Sequence, residues 1–208
     1  MDSLNHPILE ESFRIIDREV GDHNLNSSEY SIVRRIIHTT ADFEFLDLFR
    51  HAHDGIEAGI GAIGAGKPII TDVTMVRQGI KTLVGKTFHN PLVAAVEQVT
   101  IAAENKTLTE TGLLKCFSQY PGGIYVIGNA PTALLALCRE ITLSGMGPAL
   151  VIGVPVGFVS VVESKGALNR LSVPQIWIEG RKGGSTVAAA IVNALIILAW
   201  EKLQASPR

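Results

Sequence analysis

The chain has 208 residues, 47% of them hydrophobic and only 6% aromatic, with 20 glycines and 18 basic against 20 acidic residues, for a formal charge of −2. That length suits a single domain over residues 1–208, and a balanced charge without runs of either sign excludes the electrostatic footprint of a nucleic-acid or membrane-surface binder. Cys116 and Cys138 lie outside any Cys-x-x-Cys spacing and the first 25 residues carry charges throughout, so buried thiols in a reducing cytoplasm are expected, with neither disulfides nor a secretory leader.

Along the chain, Ile8, Phe13, Ile16 and Val20 recur at helical spacing, and Ile32, Ile36 and Ile37 form a second helical series behind the candidate caps Ser27 and Ser28. Two helices are therefore expected ahead of the sheet. From residue 68 onward, short apolar runs at 69–73, 82–84, 124–127, 149–152 and 175–178 read as five strands. The intervening segments near 90–104, 108–119, 131–144 and 158–170 are long enough for crossover helices. Strand-helix alternation with right-handed connections gives an α/β fold: a three-layer α/β/α sandwich around a five-stranded, mainly parallel sheet, closed by a helix from about 184 to 203. The longest apolar stretch, Val187 to Trp200, has 14 residues and contains Asn193. A membrane span needs roughly 20, so this reads as a buried or interface helix.

Three late strands run into glycine-bearing turns: Gly128-Asn129-Ala130-Pro131-Thr132, Gly153-Val154-Pro155-Val156-Gly157-Phe158, and Gly180-Arg181-Lys182-Gly183-Gly184-Ser185. In an open parallel sheet these gather at the carboxyl edge, where helix amino termini offer unpaired N–H groups to an anionic ligand. Each turn also has a structural reading, since Asn129 can simply cap a helix and the glycines can simply permit bends. Neither a Walker pattern nor Gly-x-Gly-x-x-Gly is present, so support for nucleotide binding is weak.

Of the six histidines, His6, His23 and His89 sit in polar or turn-like surroundings and are expected to be solvated. His51 and His53, beside Asp54, would approach one metal ion only on an extended segment, and no metal site is expected there. His38 ends an apolar helical series and is flanked by Arg34, Arg35, Thr39, Thr40 and Asp42. Spacing alone fits a helix-ending structural histidine and a proton shuttle equally well. No serine or cysteine nucleophile motif accompanies it, which favours proton chemistry without a covalent intermediate.

At these residues the sequence resembles the precorrin-8X methylmutase family, also called precorrin isomerase or cobalt-precorrin-8 methylmutase. The resemblance runs through Ser12-Phe13, Arg34-Arg35-Ile36-Ile37-His38, Ile70-Thr71-Asp72-Val73 with Met75-Val76 and Gly79-Ile80, and Ile127-Gly128-Asn129-Ala130-Pro131-Thr132. It continues through Gly153-Val154-Pro155-Val156-Gly157-Phe158, Glu163-Ser164-Lys165, Gly180-Arg181-Lys182-Gly183-Gly184-Ser185 and Asn193-Ala194-Leu195. It implies a flavodoxin-like homodimer and a cofactor-free isomerisation in which a methyl group moves on ring C of a corrin precursor, with or without cobalt, during cobalamin biosynthesis. It further implies His38 as proton donor and acceptor. Substrate contacts are implied for Ser12, Arg35, Thr39, Asp72, Met75, Asn129, Thr132, Gly157, Phe158, Glu163, Lys165, Arg181, Gly183 and Ser185. One segment departs from the family: a Thr-Arg-Ser-like arginine is replaced by Thr107-Leu108-Thr109, with Lys106 and Lys115 as the neighbouring cations. The competing readings are a non-catalytic tetrapyrrole- or nucleotide-binding module and a scaffold that passes corrinoids between enzymes.

Overall fold

The structure, a computed structural model, describes residues 7–205, and His6 lies outside the described residues. The chain opens with α1 (Pro7–Val20) and α2 (Ser27–Thr40), then the short α3 (Phe45–Leu48), β1 (Phe49–Ala52) and α4 (Gly55–Gly64). There follow β2 (Ile69–Thr71), α5 (Thr74–Lys86), β3 (Leu92–Ala94), a 3₁₀ turn (Ala95–Glu97) and α6 (Leu108–Gln119). Alternation then becomes regular: β4 (Ile124–Ile127), α7 (Pro131–Ser144), β5 (Leu150–Gly153), α8 (Val161–Asn169), β6 (Gln175–Ile178) and α9 (Ser185–Ala205).

The sheet has six strands in the order β1-β6-β5-β4-β2-β3, one more than expected. Five are parallel, and their order β3-β2-β4-β5-β6 is the flavodoxin-like one, while β1 adds an antiparallel edge by pairing Phe49 with Ile178. Successive side chains on the central strands serve opposite faces. Ile69, Ile124, Val126, Ile152 and Ile176 enter one core with α2, α4, α5 and α9, whereas Ile70, Tyr125, Ile127 and Val151 enter another with α6, α7 and α8. These two cores make the three layers.

Two expectations are corrected. Residues 82–84 are not a strand but the end of α5, because Val76, Ile80 and Val84 lie four apart and bury one helical stripe. The segment near 90–104 is not a crossover helix: it supplies β3, the 3₁₀ turn and a loop. β1 and α4 were unforeseen. By length and composition α9 could cross a membrane, yet here it packs against α2, α4 and α5 with Val187, Ile191, Val192, Leu195 and Ile196 buried. It is a core helix, which leaves little of it for pairing with another subunit.

Candidate active site

The site begins with how α2 is held. Its N-cap is Asn26, one residue before the expected serines, and a reciprocal capping box sets the helix start: Asn26 Oδ1 accepts from the Ser28 and Glu29 amides at 3.0 Å, and the Glu29 carboxylate accepts from the Asn26 amide at 2.8 Å. The far end closes with Ala41 in the left-handed conformation, its N–H returning 2.7 Å to the Ile37 carbonyl. Between these ends Ile32, Val33, Ile36 and Ile37 anchor the inner face, so His38 in the last turn points away from the core.

His38 Nδ1 lies 2.7 Å from the Ser12 hydroxyl of α1, and the Phe13 ring meets the imidazole edge-on at 5.8 Å. With Nδ1 occupied by Ser12, Nε2 is the nitrogen available to a ligand. Partial burial lowers the His38 pKa, and the Arg35 charge lowers it further. In an NMR titration of the free protein, the His38 ring should therefore turn over below the ordinary 6.5. A midpoint at or above that value would contradict this environment.

The imidazole opens onto a cavity of about 440 Å³ between α1, α2, α5 and α9. The structure brings Arg35, Thr39, Met75 and Ser185 to its walls together with His38. Leu9, Gly79, Thr186, Ala189, Ala190 and Asn193 complete the lining and were not foreseen as site residues. The signal was there in the small residues: a Cβ on Gly79 would come 2.8 Å from the Ala189 methyl, and the Asn193 amide donates to the Gly79 carbonyl at 3.0 Å. Close approach of α5 and α9 therefore shapes the floor. The volume is that of a small-molecule site, and a larger ligand would extend over the rim.

The other expected residues stand around the sheet's carboxyl edge in distinct roles. Asp72 is buried, and its carboxylate accepts from Gly128, Asn129, Ala130 and Val73 amides at 3.1, 2.7, 2.9 and 2.9 Å. Burial pushes its pKa up and those four donors oppose the shift. The turn after β4 was expected to offer free N–H groups to a ligand, but it spends them on Asp72. Asn129 and Thr132 remain exposed, Thr132 Oγ1 lying 3.3 Å from Thr107 Oγ1, the cap of α6. In this corner Lys106 pairs with Glu110 at 3.0 Å and Lys115 donates to the Gln98 carbonyl at 2.9 Å.

Beyond β5, Phe158 is 85% exposed with the Arg181 guanidinium 5.6 Å over its ring, and Glu163 is exposed at the start of α8. Lys165 instead points inward, donating to the Gly180 and Lys182 carbonyls at 2.8 and 2.6 Å. Gly157 and Gly183 have φ of +137° and +150°. A Cβ on Gly183 would collide with the Val154 carbonyl oxygen, so Gly183→Ala should destabilise the fold by about 1–3 kcal/mol in thermal unfolding. Retention of the parent melting temperature would refute the close packing of this loop.

His51, on β1, donates from Nε2 to the Glu29 carboxylate at 2.8 Å, while His53 beside it is exposed with a φ of +51°, so the two do not converge. His23 and His89 are exposed, as expected, although His23 also stacks on Tyr30 at 4.0 Å.

Comparisons with known proteins agree with this architecture. The precorrin-8X methylmutase family model matches residues 7–198. A cobalt-precorrin-8 methylmutase from Synechocystis is 55% identical, over 96% of this chain and 98% of its own, and one from Priestia megaterium is 43% identical over 90% and 85%. The crystal structure of a precorrin-8X methylmutase from Thermus thermophilus superposes with a TM-score of 0.88 at 44% identity, covering 94% of this chain and 96% of that one. With the flavodoxin-like strand order and the His38 cavity already placed, these matches show that the chain belongs to the precorrin-8X methylmutase family and is an isomerase of cobalamin biosynthesis.

Proposed function

We propose that the chain converts cobalt-precorrin-8 to cobyrinate by moving a methyl group between adjacent carbons of ring C, with His38 as the acid that starts the shift and the base that ends it. The observation that carries this reading is an imidazole held by Ser12 at the mouth of a cavity whose walls mix aliphatic residues with Arg35 and several hydroxyl and amide side chains. The choice of a cobalt-bearing substrate is supported by the Synechocystis and Priestia relatives, both cobalt-precorrin-8 methylmutases.

The chemistry is an isomerisation and its balance closes on itself. The His38 imidazolium gives its proton to a ring nitrogen, the methyl group migrates with its bonding pair as conjugation extends, and the same proton returns to His38. In the free protein the imidazole's pKa lies below its ordinary value; a substrate carrying many carboxylates raises it and generates the acid form when needed. Arg35 and Arg181 are the cations placed to meet those carboxylates, together with the hydroxyls of Thr39, Thr132 and Ser185, while Met75 and Phe158 supply apolar surface for the ring. Asp72 and Gly183 act through the loops they shape. The reaction calls for no resident metal or cofactor.

The working unit is a homodimer. Val156, Phe158, Val159 and Val162 form an exposed apolar ridge beside the site, and a second copy of the chain is the partner that would cover both the ridge and the part of the disc the cavity leaves open. The cytoplasm is the compartment, consistent with two buried free cysteines. Incubation with cobalt-precorrin-8 followed by visible spectroscopy tests the reaction, and an unchanged pigment spectrum at stoichiometric enzyme would sink it. Sedimentation of the isolated chain tests the dimer.

A further inference from the structure

The loop Gly180–Gly184 joins β6 to α9 and so determines where Ser185, at the start of α9, meets His38 across the cavity. It is tied down on three sides. Above, the Gly184 amide donates to the Val154 carbonyl at 2.8 Å and the Gly157 amide to the Arg181 carbonyl at 3.3 Å. Outward, Lys182 bridges to Asp42 at 2.5 Å and Glu44 at 2.9 Å, just past the end of α2 that carries His38. Beneath, the buried Lys165 ammonium reaches the carbonyls of Gly180 and Lys182.

We propose that Lys165 is a positioning residue of the substrate-carboxylate site: its buried ammonium fixes the Gly180–Gly184 loop through two carbonyls and places a positive charge against the backbone on either side of Arg181. The inference rests on the proposed methylmutase reading for the identity of the ligand, but the clamp itself does not. A buried lysine without a carboxylate partner is costly, since desolvation disfavours the charge. The charged groups on its own helix and on the elements around it are Glu163 of α8, Arg170 just past its end, Arg139 and Glu140 of α7, Glu179 just after β6, and Arg181 and Lys182 of the loop, and none forms an ion pair with it. Burial accordingly lowers its pKa to about 8. At neutral pH the ammonium donates two charge-assisted bonds; above pH 8 the neutral amine donates weaker ones and the positive charge behind the loop is gone.

The test compares the parent dimer with Lys165→Gln, which keeps N–H donors without a titrating charge, and with Lys165→Met, which has neither. Circular dichroism and thermal melting establish that each variant is folded. With cobalt-precorrin-8, KM of the parent should rise severalfold between pH 7 and 9 towards the KM of Lys165→Gln. The Gln variant should rise less over that range, only by the proton uptake that substrate binding imposes on His38, with KM raised about tenfold at pH 7 and kcat far less affected. Direct titration with cobyrinate, the product, should follow the same pattern in Kd. A pH-independent parent, or a Gln variant whose KM rises as steeply as the parent's, overturns the proposal. So does a loss confined to kcat. Amide hydrogen exchange without ligand separates this from the methylmutase reading: at pH 7 the loop amides should exchange faster in Lys165→Gln than in the parent, and at pH 9 the two should converge. Convergence alongside an inactive parent would overturn the reaction and keep the clamp; equal exchange at pH 7 would overturn the clamp.

Discussion

Replacing His38 with alanine should lower kcat by on the order of 10²–10⁴-fold, the usual contribution of one positioned proton-transfer group. The side chain is exposed and meets the core only through the edge-on contact with Phe13, so the variant should melt close to the parent and still bind the pigment. Loss of rate with retained binding is therefore the expected pair of results, read by single-turnover spectroscopy and by pigment titration. Ser12→Ala should lose less, because it leaves the acid in place and removes only the 2.7 Å contact that orients the ring. A His38→Ala protein that turns over at the parent rate would rule out the imidazole as the proton source and leave the cavity as a mere container.

The second large effect concerns stability. Asp72→Ala removes the acceptor of four backbone N–H groups, and the amides of Gly128 and Ala130 are buried where no other partner faces them. Each orphaned buried donor costs about 1–3 kcal/mol, so two of them predict a loss of about 2–6 kcal/mol, a large part of the 5–15 typical of a domain. Denaturant titration measures it. Asp72→Asn should fall between, since one carbonyl oxygen still accepts while its NH₂ opposes the neighbouring N–H donors. A parent-like midpoint for Asp72→Ala would mean that the turn after β4 is held by something other than this carboxylate.

The regular half of the fold was legible because its strands are buried on both faces and read as short continuous apolar runs, each followed by a glycine-bearing turn. Where the reading failed, local preference and tertiary packing disagree. Thr82-Leu83-Val84 looks like a strand by side-chain type, but the four-residue spacing of Val76, Ile80 and Val84 matters more, since it alone buries a stripe. α4 carries glycines at 55, 59, 61 and 64, which argue against a helix in isolation. Two of them mark close approach instead: a Cβ on Gly59 would press 2.9 Å from a Leu150 methyl, and one on Gly55 would strike the Gln175 carbonyl. β1 reads poorly because an edge strand with Arg50 and His51 has neither an apolar run nor clean alternation.

The site divided in the same way. His38, Arg35 and Thr39 share one helix end and were visible together. Apart from Leu9 of α1 and Met75, the rest of the cavity wall comes from smaller residues of α5 and α9, whose meaning appears only when the two helices are seen to touch. Lys165 and Asp72 illustrate the opposite difficulty: a charged residue in a family motif suggests a ligand contact, whereas here each charge is turned towards the backbone that carries the ligand-facing groups.

The Asp72 arrangement also bears on what this protein ignores. In flavodoxin-like folds the crevice where strand order reverses is where phosphate-bearing molecules dock, on amides at the start of the following helix. Here the chain has installed an anion of its own in that berth, with Asn129 and Ala130 amides 2.7 and 2.9 Å from a single oxygen. A phosphate approaching that edge would meet a carboxylate already seated on those amides.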